Sequence, residues 1–482
     1  MASRQDSGAG LRSRRRLLQA GVFTGIGAAG ITALAGCGET QVVEVVKEVP
    51  VETIKEVEVE KVVERVKVET VIVEKPAPQK VTILDWVHPL SAEDMKVFQP
   101  LIDRFNRDFN PNIEIRIDIV PWSNRIQKTM GAVAAGAPPD TAYVNVDEFT
   151  TYVVQDVLEP LDEFVKKDNV DLDDWLPGPR AGMDWEGKLY ELPHLYAFRV
   201  AYFNKTVWEK SGLDPAITPT TWTEHSEMLT QVMAAKAAGS HDAFGTAQAG
   251  LGHPVTYWNP YFYQAGGSLL TEDGKSGYNS AAGLEAADKI LEVMENFADP
   301  ADRGSNGREH RPGFGQGNYA YRHNDELGLA RTIEKDYPDL NFGVAETMTG
   351  NVKWTHGGLG CKCIFAGSKY KDATWEWIQF MAGAGNLEYN IEFGYVPPRQ
   401  SNLDLYIKHP EVANSPVKIR ALEEAKFGRV EKAPGLWDMW DVLKPAMQAF
   451  ALGEKTPKEA LDEAADKINK DIIGKYRGAQ TG

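Results

Sequence analysis

Cysteine is almost absent from this chain of 482 residues, which contains only Cys37, Cys361 and Cys363. Three cysteines are too few for a disulfide framework in a chain of this length. Cys361 and Cys363 lie in an apolar stretch, and in a strand their side chains would point to the same face. A strained disulfide and half of a metal site are open alternatives. Two small, buried hydrophobic side chains are the favoured interpretation.

The chain also lacks an excess of positive charge. It has 52 Lys and Arg against 69 Asp and Glu, a formal net charge of −17. Proteins that bind nucleic-acid backbones usually present a basic surface and a high pI. We therefore expect no nucleic-acid partner, and the acidity otherwise favours solubility.

Several common catalytic motifs are missing as well. The sequence contains neither the H-E-x-x-H of zinc proteases nor the G-x-S-x-G of α/β-hydrolases. Gly274-Lys-Ser276 ends like a P-loop, but Leu269 occupies the place of its first glycine. The polar clusters at 308–311 and 323–326 are interpreted as solvated loops, with metal-binding or catalytic groups as the alternative. We expect no catalytic residue, metal or cofactor, and any ATPase that drives uptake must be another chain.

The N-terminal region has the order of segments expected of an exported lipoprotein. Ser13-Arg-Arg-Arg-Leu-Leu-Gln19 resembles the twin-arginine signal S-R-R-x-F-L-K. The apolar stretch at 20–35 contains four glycines, and it is weaker than the roughly 20 apolar residues that span a bilayer. Leu34-Ala-Gly-Cys37 then fits the bacterial lipobox. This predicts a twin-arginine-type lipoprotein signal peptide at 1–36 and lipid attachment at Cys37, with an ordinary signal peptide followed by a coincidental cysteine as the alternative.

Residues 37–79 form a segment of low complexity. Between 39 and 75 the chain is dominated by Val, Glu and Lys, and no glycine occurs between Gly38 and Gly131. Such a composition cannot build a core of its own. The valine spacing suits either a fluctuating chain or a short coiled coil. Both interpretations predict a stalk that holds the following domain away from the cell membrane. The protein would be lipid-anchored to that membrane on its extracytoplasmic face.

The region that follows alternates between strand-like and helix-like patterns. Apolar strands are predicted at 81–85, 113–119 and 141–146, with helices at 93–109 and 126–135 between them. This β-α-β-α-β order predicts an α/β fold with a largely parallel sheet. Later helices are predicted at 222–238, 281–297, 373–381 and 458–473, and later strands at 341–345 and 361–365.

Polar and aromatic residues follow the predicted strands. Trp86, Trp122 and Asp147 each come just after a strand, where open α/β sheets bind ligands. Asp147 and Glu148 form a carboxylate pair that suits hydrogen bonds from sugar hydroxyls. Glycoside hydrolysis requires two carboxyl groups on opposite sides of the bond, whereas adjacent residues at a strand end point apart. Binding without chemistry is therefore favoured over a secreted carbohydrate-active enzyme.

Three groups of motifs carry a resemblance to a known family. Ala134-Ala-Gly-Ala-Pro-Pro-Asp140 resembles A-A-G-x-x-P-D. Gly187-Lys-Leu-Tyr-Glu-Leu-Pro193, Ala201-Tyr-Phe-Asn-Lys205 and Pro219-Thr-Thr-Trp222 follow in the order G-K-x-Y-x-L-P, Y-Y-N-K and P-x-T-W. The stretch at 452–461 resembles the C-terminal L-x-G-x-x-x-x-E-A-L. From about residue 80 to about residue 471, the chain resembles the family 1 extracellular solute-binding proteins of ABC importers, which include maltodextrin-binding proteins.

This resemblance implies a two-lobed periplasmic-binding-protein fold of type II. In this α/β architecture the ligand cleft lies between two lobes joined by a hinge. The solute-binding domain would cover 80–482. Because segments cross between the lobes, lobe 1 would comprise about 80–198 and 346–398, and lobe 2 about 203–343 and 402–475.

A set of ligand-binding residues follows from the strand ends and from the resemblance. Asp147 would accept hydrogen bonds from hydroxyls, and Trp258, Trp437 and Trp440 would stack on sugar rings. Core packing is the alternative for each aromatic residue. The full candidate set is Trp86, His88, Trp122, Asp147, Glu148, Tyr257, Trp258, Tyr261, Gly357, Gly358, Trp437 and Trp440.

The sequence therefore predicts the substrate-binding component of an ABC importer. It would be a monomer that delivers a mono- or oligosaccharide to membrane permease subunits. Residues 321–325 and Glu346 depart from the family pattern, and the resemblance does not identify the solute. A polyol, a glycerophosphodiester or a peptide stays open as the ligand, and a sensory protein or a secreted enzyme stays open as the function.

Overall fold

The computed structural model describes residues 80–87, 94–121, 124–247, 254–302 and 311–476. Cys37, the signal peptide, the stalk at 37–79, and the candidate ligand residues His88 and Trp122 lie outside the described residues. The described residues belong to one compact unit that begins at Lys75. None of the helices described there combines the length and the apolar character needed to cross a membrane.

Most of the strands belong to one mixed sheet. Its order is β2-β1-β3-β10-β6-β8-β7, with β11 beside β10 and β9 beside β6, and β4 and β5 form a separate hairpin. The strands are β1 (Val81–Val87), β2 (Ile113–Ile119), β3 (Thr141–Asn145), β4 (Asp184–Trp185), β5 (Lys188–Leu189), β6 (Glu191–Asn204), β7 (Phe244–Thr246), β8 (Tyr319–Glu326), β9 (Phe342–Ala345), β10 (Thr355–Cys363) and β11 (Gly428–Arg429).

Helices pack around this sheet. They are α1 (Phe98–Asp108), α2 (Arg125–Ala134), α3 (Phe149–Val153), α4 (Asp162–Lys167), α5 (Pro177–Gly182), α6 (Lys205–Lys210), α7 (Trp222–Ala237), α8 (Pro254–Tyr257), α9 (Asn259–Gln264), α10 (Ala281–Asn296), α11 (Arg311–Gly315), α12 (Gly328–Asp336), α13 (Lys371–Ala382), α14 (Asn386–Phe393), α15 (Gln400–Tyr406), α16 (Pro410–Ala413), α17 (Pro416–Glu424), α18 (Leu436–Ala451) and α19 (Pro457–Ile468).

The N-terminal part confirms the predicted β-α-β-α-β order. Strand β1 pairs in parallel with β2 and with β3, and α1 and α2 connect them. The alternating residues of β2 bury Ile113 and Ile115 and leave Glu114 and Arg116 exposed. Burial on one face explains why the period-two pattern predicts this strand correctly.

The long strand β6 joins the two halves of the sheet. Its first half pairs antiparallel with β10 from Glu191 to Phe198. From Arg199 to Asn204 it pairs instead with β8 and β9. All but one of its residues are buried, as expected of a strand that is covered on both faces. Separate hydrophobic clusters lie on the two sides of the point where β6 changes its pairing partners, and a third cluster runs along β6 itself.

A buried ion pair connects two strands across β3. Lys362 of β10 places its ammonium nitrogen 2.5 and 2.7 Å from the two carboxylate oxygens of Asp85 in β1. The indole N–H of Trp377 donates to the same carboxylate at 2.8 Å. Lys362 and Asp85 are 1% and 0% exposed, so each charge depends on the other for compensation.

The interpretation of 323–326 as a solvated loop is wrong. These residues belong to β8, and all of them except Glu326 are buried. Their charges are compensated within the chain, because Asp325 binds Arg311 and Arg322 and Glu326 binds Arg199. The hydrophobic pattern did not reveal the strand because ion pairs rather than apolar side chains fill its buried face.

The interpretation of Cys361 and Cys363 as buried residues of a strand is confirmed. Both are free thiols and both are fully buried in β10. Burial raises the pKa of both thiols, which keeps them protonated and unreactive. Among the described residues, no group of three or more His, Cys, Asp and Glu side chains is arranged to hold a metal ion.

Candidate ligand-binding site

Asp147 lies in the turn that follows β3. The preceding residue, Val146, donates its backbone N–H to the carbonyl of Leu359 at 3.2 Å, which fixes this turn against β10. The Asp147 side chain is 5% exposed, and its Oδ1 atom has no hydrogen-bond partner among the described residues. A buried carboxylate oxygen without a partner is costly, and such an oxygen is a ready acceptor for a ligand hydroxyl.

Glu148 has a different role from its neighbour. Its carboxylate forms a two-pronged ion pair with Arg125 of α2, with Nε to Oε1 at 3.0 Å and a terminal nitrogen to Oε2 at 2.7 Å. It also accepts the backbone N–H of Asn145 at 3.0 Å. The sequence analysis placed Glu148 among the ligand acceptors. The structure assigns it instead to holding Arg125, because the paired geometry uses both of its oxygens.

Trp437 lies beside Asp147, and Trp440 packs against Trp437. Both belong to the first turns of α18, and their ring centroids are 5.4 Å apart at an interplanar angle of 62°. The guanidinium of Arg125 lies 4.7 Å from the Trp437 ring centroid. Trp440 is buried, whereas Trp437 is partly exposed. Trp437 is therefore the tryptophan of this pair that offers a face to a ligand in this conformation.

The aromatic segment before Gly266 is packed into the core. Tyr257, Trp258 and Tyr261 are 2%, 0% and 0% exposed. Trp258 stacks on Phe262 at 5.5 Å, and Tyr261 stacks on His323 at 5.0 Å. The core alternative that the sequence left open describes these three residues in this conformation, since helices α8 and α9 turn their rings inward.

Trp86 lies on the same side of the sheet as Arg125. It is the penultimate residue of β1 and is 9% exposed, and the Lys128 ammonium lies 4.7 Å from its ring centroid. It lines a small pocket together with Val87, Val120, Arg125, Thr129, Ala142, Tyr143, Val144 and Tyr152. The structure therefore keeps Trp86 close to the Arg125–Glu148 pair and gives its ring a cation as a neighbour.

Gly357 and Gly358 lie in β10 where two other strands approach closely. A Cβ atom on Gly357 would meet the backbone of Arg429 in β11 at 3.1 Å. On Gly358 it would meet the carbonyl oxygen of Ala197 in β6 at 3.2 Å. The glycine pair is thus explained by strand packing. Gly358 also keeps partial exposure.

The structure adds Glu431, a residue that sequence reasoning missed. It follows β11 and is 5% exposed. The amide of Asn259 donates to its two oxygens at 3.1 and 3.2 Å, and His356 Nδ1 lies 3.9 Å from it. Nothing in its neighbouring residues distinguishes Glu431 from the other acidic residues in the sequence, because only the fold brings β11 beside β10.

Burial shifts the acid–base behaviour of both carboxyl groups. Loss of solvent, followed by repulsion from Glu148, raises the pKa of Asp147 to about 6. Loss of solvent raises the pKa of Glu431 to about 8, and the charge of Asp147 adds to this shift. The charge of Asp147 therefore reaches Glu431, which places both carboxyl groups in one region of the fold.

The native protein should lose stability as the pH rises from 6.5 to 8, and we predict that the Glu431→Gln variant does not show this loss. The pKa of Glu431 rises from 4.5 in the unfolded chain to about 8 in the fold. The folded state therefore binds the proton more tightly, and stability falls as pH rises toward 8. The buried His323 and His356 have lowered pKa values, to about 3, so their effect on stability lies below pH 6.5. Thermal unfolding of both proteins at pH 6.5, 7.3 and 8 measures this, and parallel melting curves at all three values would contradict it.

Comparisons with known proteins identify the relatives of this chain. A family model described as bacterial extracellular solute-binding protein matches residues 88–388, which is more than half of the 482 residues. A protein of Brucella abortus (strain 2308), named as a binding protein, is 26% identical over 385 residues. That match covers 79% of this chain and 90% of the relative.

Solved structures show the same fold. An ABC substrate-binding protein from Listeria monocytogenes in complex with cycloalternan has a TM-score of 0.68 at 21% identity, over 82% of this chain and 99% of that one. UgpB from Mycobacterium tuberculosis in complex with glycerophosphocholine has a TM-score of 0.69 at 17% identity, over 83% and 99%. The α/β architecture is therefore the two-lobed periplasmic-binding-protein fold.

Proposed function

Because the chain belongs to the bacterial extracellular solute-binding protein family, we propose that it captures a carbohydrate outside the cytoplasm and delivers it unchanged to the permease of an ABC importer. Members of this family are substrate-binding proteins of such importers and are not enzymes.

The observation that carries the carbohydrate proposal is the setting of Asp147. A buried carboxylate oxygen without a partner lies beside Trp437, whose side chain is partly exposed. A sugar ring presents hydroxyl donors along its edge and an apolar C–H face, and this combination matches a carboxylate next to an indole. We propose Asp147, Trp437, Trp86 and the backbone at Gly358 as ligand contacts. Of the candidates outside the described residues, His88 and Trp122 join this proposal on the sequence argument alone.

Binding is proposed to occur between two lobes. The exchange of strand partners at Phe198 and Arg199 in β6 supports a boundary there, and Tyr196 forms an isolated bridge with Val396 on a second crossing segment. These contacts favour lobe 1 at about 80–198 and 346–398 and lobe 2 at about 203–343 and 402–475. The ligand would stabilise the closed form by contacting both lobes, because only differential affinity for one form can shift the equilibrium.

The relatives support the class of solute in different ways. The Listeria structure holds cycloalternan, a carbohydrate, and the Mycobacterium structure holds glycerophosphocholine. Both complexes are consistent with a small polyhydroxylated solute for this chain. A polyol or a glycerophosphodiester is the second candidate, favoured by the Mycobacterium complex.

A thermal-shift screen over sugars, polyols, glycerol phosphates and short peptides tests this proposal. A ligand that binds only the folded state at 100 times its Kd adds about 2.7 kcal/mol to the free energy of unfolding. We expect one or more carbohydrates to raise the melting temperature by a few degrees and peptides to leave it unchanged. If only peptides raised it, the carbohydrate proposal would be wrong.

The proposed tether consists of a lipid on Cys37 and the stalk at 37–79, after twin-arginine export and cleavage of residues 1–36. The domain would then act as a monomer on the extracytoplasmic face of the membrane, near the permease. This proposal rests on the order of the basic, apolar and L-A-G-C segments in the sequence. A single acyl chain binds membranes only marginally, so more than one chain on Cys37 is expected.

We predict that Cys37→Ser releases the protein from the membrane into the medium without altering its affinity for the solute. The tether and the site are separate segments of the chain, so loss of lipid should not reach the binding residues. Cell fractionation followed by a binding titration of the released protein measures both properties. Retention in the membrane fraction would contradict lipid attachment at Cys37, and a weaker affinity would contradict the separation of tether and site.

A further inference from the structure

We infer that Asp147 and Glu431 form a pair of acceptors, one contributed from each side of the site, that selects a neutral polyhydroxylated solute and rejects phosphate esters. This inference rests on the proposed function and deepens it. It distinguishes between the two classes of ligand that the structural relatives hold, since cycloalternan carries no phosphate and glycerophosphocholine does.

A continuous wall of side chains connects the two carboxyl groups. Asp147 is in contact with Trp437, and Trp437 packs against Trp440. Trp440 lies beside the Tyr278 hydroxyl, and Tyr278 feels the charge of Glu431. On the other side of Glu431, Tyr263 stacks on Trp354 at 4.7 Å, with His356 next to it. The two acceptors therefore belong to one aromatic-lined region.

Each acceptor retains capacity for a ligand donor. Oδ1 of Asp147 has no partner among the described residues. Glu431 receives the amide of Asn259 on both oxygens. Because its pKa is raised to about 8, its carboxyl group is mostly protonated at pH 7 and offers a ligand hydroxyl its remaining lone pairs and one O–H. Sugar hydroxyls can supply the missing donors and bring no charge into the buried site.

Three cations near the two carboxyl groups are already paired with acidic side chains of the chain. Arg125 is held by Glu148, and Arg199 of β6 by Glu326. Lys432, next to Glu431, donates to Asp184 and to the carbonyl of Ala181. Phosphate recognition normally uses a guanidinium fork or an ammonium that is free to pair with the phosphate. A phosphate here would have to displace one of these acidic partners.

Two further positive features of the region have partners within the chain. Arg429 donates to the carbonyls of Lys426 and Gly428 within its own loop. The N-terminus of α18 has a partial positive charge that attracts anions, but Asp438 occupies its first turn and the N–H of Gly435 donates to Thr151. An entering phosphate would thus meet Asp147, whose neighbouring cation Arg125 is already paired with Glu148, and buried like charges repel strongly.

The test compares matched neutral and phosphorylated sugars. The probes are glucose, mannose and maltose, the 6-phosphate of each, sn-glycerol 3-phosphate and glycerophosphocholine, titrated against the full protein at pH 7 and pH 9. We expect the phosphate esters to bind at least about 100-fold more weakly than the matched neutral sugar at pH 7. The ratio of neutral-sugar affinity to phosphate-ester affinity should increase by a further factor of about ten at pH 9, where Glu431 is ionised. The second pKa of a phosphate monoester lies near 6, so its charge changes by only about 0.1 between these two pH values, and a tenfold change reports on the protein.

Glu431→Gln and Asp147→Asn supply the decisive variants, and Glu459→Gln in the exposed capping box of α19 is the control. Glu431→Gln should abolish the increase at pH 9 in the ratio of neutral-sugar affinity to phosphate-ester affinity. Asp147→Asn should lower this ratio at both pH values. Glu459→Gln should leave the ratio and its pH dependence unchanged. Equal or tighter binding of the phosphate esters would overturn the inference, as would a Glu431→Gln protein whose ratio still increases at pH 9. Binding of sn-glycerol 3-phosphate without any sugar would overturn the inference and the carbohydrate proposal together. Sugar binding without discrimination would overturn the inference alone.

Discussion

Lys362→Met is expected to lower the free energy of unfolding by about 3–5 kcal/mol, because it leaves the Asp85 carboxylate buried without its counter-charge. Lys362 and Asp85 are 1% and 0% exposed, so water cannot replace the lost ammonium. The remaining donor, the Trp377 indole at 2.8 Å, supplies one hydrogen bond and no charge. Urea unfolding of the variant and the native protein measures the difference.

The matched control is Lys458→Met on α19. Lys458 forms a 2.6 Å ion pair with Asp462, but their side chains are 69% and 40% exposed. Exposed pairs contribute little, because water solvates either charge when the other is removed. The same chemical change should therefore leave the unfolding curve almost unchanged. Similar losses of stability in the two variants would show that burial of the Lys362–Asp85 pair has no special importance.

Asp147→Asn is expected to weaken solute binding by about 100-fold while making the unliganded protein more stable at pH 7. Hydrogen bonds to a charged acceptor are the strong ones in a binding site. Without a ligand, the pKa of Asp147 rises from 3.8 to about 6 through burial and repulsion from Glu148. An acid with a raised pKa destabilises the fold increasingly as pH rises from 3.8 to 6, and the full penalty is present at pH 7. Asparagine removes that penalty together with the acceptor charge.

Glu148→Gln provides the contrasting variant from the same turn. Glu148 neutralises Arg125 across distances of 2.7 and 3.0 Å, so the loss of its charge should lower the melting temperature of the unliganded protein. Melting curves at pH 7 and pH 4 check both predictions. The gain from Asp147→Asn should vanish at pH 4, where the native carboxyl is protonated. A decrease in melting temperature for Asp147→Asn at pH 7 would show that Asp147 is a structural group rather than a ligand acceptor.

Patterns with one buried face were predictable from the sequence. Strand β2 alternates because only one of its faces is buried. Helices α7 and α10 are capped by the side chains of Thr221 and Ser280, the residues that immediately precede them. The sequence signals for these starts were the Thr before Trp222 and the Asn-Ser before Ala281. The predicted helix at 458–473 exists as α19 only to Ile468 and continues as a π-helical turn, Asn469–Ile473.

Elements that are stabilised by distant partners were not predictable. Strand β10 begins at Thr355, six residues before the predicted start at 361, because close contact with β6 and β11 makes glycines suitable within a strand. Strand β8 carries Arg322 and Asp325 in a buried ion-pair network. Strand β6 was seen only as family motifs, because burial on both faces removes the alternation.

The candidate site was predictable only in part, because some of its residues are marked by a strand end or a family motif and others are brought in by distant partners. Asp147 and Trp437 were found from a strand end and from the family resemblance, and the structure brings them together. The separate roles of Asp147 and Glu148 depend on Arg125, which lies 23 residues before Glu148 and gave no sign of the pairing. Glu431 enters the site only through the pairing of β11 with β10.

Titration calorimetry of the purified protein with the carbohydrate that gives the largest thermal shift tests the central claim most directly. A solute-binding protein should show one saturable site per chain, with each injection returning to the same baseline because the solute is released unchanged. Asp147→Asn should reduce the heats under the same conditions. A continuous heat that persists after saturation would reveal turnover of the carbohydrate, and it would contradict the account by showing that the protein is an enzyme.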